Sequence, residues 1–146
     1  MTTISHLTCE YQNNPLGIDV LQPRLSWQMQ SDRRGARQSA YRIFFAPSET
    51  SLDNASDLLW DSGKIDSAQS IHIPYNGPPL ISGQRVYWKV RVWDESGQEI
   101  ESSSAWWEMG LLESDDWKAQ WIGAAFYGGP RTTSPGINNG IMRGIR

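Results

Sequence analysis

The groups in this chain that could do chemistry are two pairs of adjacent acids, two histidines and one cysteine. The acids stand at Asp94-Glu95 and Asp115-Asp116. Cleaving a sugar linkage takes two carboxyl groups facing each other across the ring, about 5–10 Å apart. Neighbours within one turn do not meet that need, so both pairs read as turn solvation or helix capping. His6 and His72 are distant in sequence, and neither has a Cys or carboxylate at zinc-ligand spacing, so no metal site is predicted. His72 alternates with Ile71 and Ile73, as an outward residue of a strand does. Cys9 has no neighbour that marks it as a nucleophile and reads as a structural thiol. The sequence holds no Gly-x-Ser-x-Gly elbow, and Gly128-Gly129-Pro130 opens no helix that would cradle a phosphate. No cofactor is expected.

The aromatics carry the one serious functional signal. Eight Trp occur in 146 residues. Trp93, Trp106, Trp117 and Trp121 could stack on sugar rings or on another protein module. They fall at or near the C-terminal exit, where aromatics supply buried area at a domain junction, and that reading is favoured.

Such side chains need a frame, and the frame is built on Arg85–Trp93. Val86, Trp88, Val90 and Val92 fall on one face of an extended chain, with Tyr87, Lys89, Arg91 and Trp93 on the other. Gly83 precedes this stretch and Asp94-Glu95-Ser96-Gly97 follows it, both turn signals. Other strands are predicted at Ile4–Tyr11, Arg24–Gln30, Ser39–Ala46, Leu58–Asp61, Ser70–Ile73 (stopped by Pro74) and Ser104–Leu111. In the last of these Trp107, Met109 and Leu111 are expected to face inward. One helical turn fits Ser48–Asp57, with Ser51 as its cap. Seven short strands without a long helix predict an antiparallel β-sandwich of immunoglobulin or fibronectin type III kind. Its core collects Leu25, Trp27, Tyr41, Ile43, Phe45, Trp88, Val90, Val92 and Met109. Residues 1–112 form the domain, 113–123 a linker, and 124–146 an irregular tail expected to be disordered in isolation.

A formal charge of −3 argues against nucleic acid as a partner. Arg33-Arg34 and Arg37 lie among Ser, Asp and Gly, as in a solvated loop. No segment approaches the ~20 apolar residues that span a bilayer, so no membrane partner is expected. The N-terminus lacks a basic region followed by an apolar run, and one Cys forms no internal disulfide. Both features point to the cytoplasm.

Six stretches together resemble the N-terminal fibronectin type III-like domain of bacterial α-L-rhamnosidases of glycoside hydrolase family 78. They are Asn14-Pro15-Leu16-Gly17-Ile18-Asp19, Pro23-Arg24-Leu25-Ser26-Trp27, Gln38–Ile43, Leu59-Trp60-Asp61-Ser62-Gly63-Lys64, Gly83–Asp94 and Trp107-Glu108-Met109-Gly110-Leu111-Leu112. Trp117-Lys118-Ala119-Gln120-Trp121-Ile122-Gly123 is similar to the family's link into the next β-domain. The resemblance implies a parent enzyme that hydrolyses terminal α-L-rhamnose with inversion, its catalytic acids lying in a helical barrel far downstream. No motif position here corresponds to a catalytic residue, so none is carried over.

Two departures stand out. Val86 occupies a position where fibronectin-like domains often have Tyr, so the tyrosine-corner hydrogen bond is not expected. Gly136–Arg146 lacks the family's next strand, which suggests a truncated or frameshifted reading frame, or a cloned fragment. The reading is a non-catalytic accessory domain whose partners are neighbouring rhamnosidase domains. The alternatives are a carbohydrate-binding module that takes rhamnosylated glycans on exposed Trp, and a stand-alone protein-interaction module.

Overall fold

The alternation that singles out Arg85–Trp93 is realised in full in a computed structural model that describes residues 1–120. Val86, Trp88, Val90 and Val92 have no exposed surface, and the residues between them are half-buried. This strand is β6, Arg85–Asp94. Before it come β1 (Thr2–Cys9), β2 (Arg24–Ser31), β3 (Gln38–Ala46), helix α1 (Glu49–Asn54), β4 (Trp60–Asp61) and β5 (Ile73–Pro74). After it come β7 (Glu99–Glu101), β8 (Ala105–Glu108) and one 3-10 turn at Ser114–Asp116. One sheet has the order β1-β2-β5. The other runs β4-β3-β6, with β7 and β8 sharing the far side of β6. All the strand pairings are antiparallel.

The core lies between the two sheets, and all nine expected core residues are buried in it. Trp107 and Tyr75 join them. Phe45, Trp60, Tyr75 and Trp107 form a cluster with ring centroids 5.1–6.0 Å apart, mostly edge to face. Trp88 Nε1 is buried without an acceptor among the described residues. An unmade hydrogen bond costs about 1–3 kcal/mol. Burying an indole of ~200 Å² gains about 5 kcal/mol, so packing wins there.

Where structure and expectation part, the cause is local. Strand β7 was not predicted, because Glu-Ile-Glu shows no apolar face. It exists because β6 offers backbone partners from Arg91 to Trp93. Between β7 and β8 the edge bends, and Ser102 bridges the break. Its N–H donates to Val90 O at 2.9 Å, and its hydroxyl accepts from Val90 N–H at 3.0 Å. A side chain thus takes over a ladder bond that β6 would otherwise leave unmade. Pro74 pairs with Arg24 within β5 instead of stopping the strand, which an edge position permits. Ser48, not Ser51, caps α1: its hydroxyl accepts from Ser51 N–H at 3.1 Å. Leu111 is 51% exposed, not inward. After Glu108 the chain leaves β6 to bond with Ile18, and Gly110 lies so close to Gly17 that a Cβ there would meet its backbone at 3.2 Å. The alternation ends at that crossing. Tyr87 points outward, as read from its position beside Val86. It packs with Leu58 against Phe44, Ala46 and Leu52 under α1. Trp121 and the expected tail 124–146 lie outside the described residues, as do positions 121–123 of the expected linker.

Candidate functional site

The outer face of the β6–β8 pair holds two of the four candidate Trp. Trp93 stands near the C-terminal end of β6. Trp106 lies across from Tyr87, six residues back along the strand, which is about 20 Å. Each half-buried ring is covered by a cation of this chain. Lys64 Nζ sits 4.7 Å from the Trp93 ring, and Arg85 Cζ sits 4.0 Å from that of Trp106. Between them lies Phe44, ringed by Arg42, Lys89 and Arg91 at 5.0–5.8 Å. Those cations are paired in turn with Asp61, Glu99 and Glu101. This face is a closed mosaic of ion pairs on aromatic rings. Trp117 is elsewhere, past the 3-10 turn, and is 68% exposed. The fold therefore brings none of the three described candidates together. Trp121 lies outside the described residues.

The acids serve as fasteners. Asp94 is fully buried at the β6–β7 turn. Its Oδ1 accepts from Ser96 Oγ at 2.7 Å, and from Ser96 N and Gln98 N at 2.9 Å. Its Oδ2 accepts from Arg33 Nη2 at 2.9 Å. The Ser96 hydrogen bond, ahead of the other backbone donors and Arg33, holds this carboxyl below its ordinary range. Glu95 pairs with the same guanidinium and accepts from Arg37 N–H at 3.1 Å. At the other end Asp116 accepts from the Ser82 hydroxyl and from Glu113 N–H. Ten residues of β6 separate the two pairs, about 30 Å, so no two of these acids face each other across a substrate.

A carboxyl with a depressed folded pKa stabilises the fold above its unfolded value of about 4, and that contribution is lost as pH falls through the folded pKa. Urea midpoints are expected to drop as pH falls below about 4, and Asp94→Asn to show a shallower drop. Equal slopes for the two proteins would show that Asp94 does not contribute.

Cys9 is buried, and burial pushes its thiol up to about 12, so it is inert at neutral pH. His6 touches Ser5, while His72 Nε2 lies 2.7 Å from the Tyr11 hydroxyl. Among the described residues no group of His, Cys, Asp and Glu could hold a metal ion. No helix there is long and apolar enough to cross a membrane.

Sequence reasoning missed the feature around Tyr11. Glu10, Tyr11 and His72 all adopt positive φ, at 48°, 70° and 59°. Arg24 binds Glu10 through two guanidinium hydrogen bonds of 3.1 Å and lies over the Tyr11 ring at 5.5 Å. The Arg24 hydrogen bond holds the Glu10 carboxyl below its usual range. Left-handed backbone at non-glycine positions costs on the order of 1 kcal/mol each, so this exposed corner is strained and held by its polar contacts. No alternating pattern marks it in the sequence.

A sequence model described as "Rha78A-like, N-terminal immunoglobulin domain" matches residues 4–113. The chain belongs to this family. As a Rha78A-like immunoglobulin domain it is 45% identical over 129 residues to an α-L-rhamnosidase of Streptomyces avermitilis, covering 88% of this chain and 12% of that protein. A Formosa agariphila α-L-rhamnosidase is 43% identical over 124 residues, covering 81% and 13%. The crystal structure of the Streptomyces avermitilis enzyme complexed with L-rhamnose superposes with a TM-score of 0.79 at 43% identity, covering 85% of this chain and 12% of that one. That of an α-L-rhamnosidase from Dictyoglumus thermophilum gives 0.77 at 34% identity, covering 83% and 14%. The Rha78A-like domain thus spans about an eighth of the length of the curated relatives it matches.

Proposed function

We propose that this chain is the accessory N-terminal module of an α-L-rhamnosidase that removes terminal α-L-rhamnose from glycosides. The module contributes packing surface and no reacting group, and hydrolysis belongs to the region that follows it. One observation carries this reading: a family of N-terminal rhamnosidase domains accounts for residues 4–113, while the one adjacent acid pair of that stretch, Asp94-Glu95, is held in a turn by Ser96, Gln98, Arg33 and Arg37. The cations over Trp93 and Trp106 favour packing over sugar stacking, since a ligand ring would have to displace Lys64 or Arg85. The reading places the protein in carbohydrate metabolism and in the cytoplasm, the latter on its single buried thiol. The test is turnover of an aryl α-L-rhamnoside. The purified chain is expected to release no more aryl alcohol than a vector-only preparation, and release above that control overturns the reading.

A further inference from the structure

The exposed apolar side chains of this domain are unevenly placed. Ten large ones are exposed among the described residues. Met1 and Ile65 lie apart from the rest, and Ile71 flanks His72 beside Tyr11. The other seven lie in the loops at one end, where β2 and β6 begin and β8 finishes. Leu16, Leu21, Ile81, Leu111 and Trp117 are each 51–70% exposed, as is Tyr11 at 68%.

These loops are laced into one surface. Glu108 N–H donates to Pro15 O, and Gly110 N–H to Ile18 O. Gly83 N–H donates to Gly110 O at 3.1 Å. The Ser82 hydroxyl accepts from Leu112 N–H at 2.7 Å and donates to Asp116. The exit segment is therefore tied down to Asp116, with Ile81 exposed beside Ser82 and Leu111 and Trp117 exposed along the segment itself. Single exposed apolar residues are ordinary on any surface. A concentration at one end, on braced backbone, marks a contact surface.

We infer that this end is the seat of the module that follows in the rhamnosidase, docked on Leu16, Leu21, Ile81, Leu111 and Trp117. The inference rests on the accessory-module reading and adds the surface. Two further observations choose the occupant. The chain leaves the sandwich from this end, through Trp117. The matched α-L-rhamnosidases are about eight times as long as the part they share with this chain, and the family model describes that part as N-terminal. A following module is thus delivered to these side chains at high effective concentration. The rings of Trp93 and Trp106 are already covered by cations of this chain, and that face is not the seat.

A chimera tests this. Residues 1–120 replace the matched segment of the Streptomyces avermitilis rhamnosidase, and hydrogen exchange read by mass spectrometry compares the chimera with this chain alone. Amides of 80–84 and 108–117 are expected to exchange at least about tenfold more slowly in the chimera, with helix α1 unchanged. Ile81→Asp with Leu111→Asp in the chimera is expected to return those rates to the values of the chain alone. No added protection, or protection spread equally over α1, overturns the inference. So does self-association of the chain alone that the same two substitutions abolish, since a second copy is then the occupant. A chimera that hydrolyses aryl rhamnoside yet shows no added protection removes this inference only. A chimera that neither folds nor turns over removes the accessory-module reading as well.

Discussion

Trp107→Ala should lower the melting temperature of this chain by more than about 10 °C, while Trp106→Ala, one residue away, should lower it by only a few degrees. Trp107 is fully buried, edge-on to Phe45 at 6.0 Å and to Tyr75 at 5.7 Å, and its indole N–H points to Met109 Sδ at 3.3 Å. Removing it strips one side of the Phe45–Tyr75 pair at the heart of the aromatic cluster. Buried Trp→Ala changes cost about 3–5 kcal/mol, against a total stability of about 5–15 kcal/mol for a domain. Trp106 is half-buried on the outer face, and its truncation loses a cation–π contact with Arg85 and some area, about 1 kcal/mol. Thermal unfolding followed by far-ultraviolet circular dichroism measures both. The pair is a strict test of register, because a one-residue slip of β8 against β6 would exchange the two roles. A larger loss for Trp106→Ala than for Trp107→Ala would show that the pairing of Val86 with Trp107 is wrong.

The same pair shows what the sequence makes legible. Val86 to Val92 alternate without a fault, with turn residues on both sides, so the central strand and its inner face are readable. Trp107 and Met109 follow from the same period. Leu111 does not, because the period ends when the chain trades β6 for Ile18, a partner nearly a hundred residues earlier. Glu99–Glu101 is a strand through its neighbour's backbone and not through its own pattern. Ring chemistry marks the candidate Trp in the sequence, but the cations over two of them come from Lys64 and Arg85. Lys64 is brought in by a different part of the chain, which no local reading can supply. The apolar end is harder still. Leu16, Leu21 and Ile81 sit in turn-rich stretches, where an isolated apolar residue has no period and no assigned side. Their common location emerges only once the strand ends are fixed in space.

Gln38 was equally hidden, since a polar residue at a strand start reads as surface. It is buried, and it pins three segments together. Its Oε1 accepts from Trp27 Nε1 at 2.9 Å, and its Nε2 donates to Ser67 O at 3.0 Å and Gln69 O at 2.8 Å. Trp27 belongs to one sheet, Gln38 to the other, and 67–69 to the segment that crosses between them. Gln38→Leu keeps the volume nearly constant but leaves a buried indole N–H without an acceptor, which alone costs about 1–3 kcal/mol. The two carbonyls are part-buried and recover some of their loss from water. A net loss of about 2–4 kcal/mol is expected, read as a lower urea midpoint at unchanged slope. The decisive measurement is a double-mutant cycle with Trp27→Phe. Phenylalanine has no N–H to strand, so in the Gln38→Leu background Trp27→Phe should cost about 1 kcal/mol less than it does alone. Strict additivity would mean that the indole and the amide do not depend on each other.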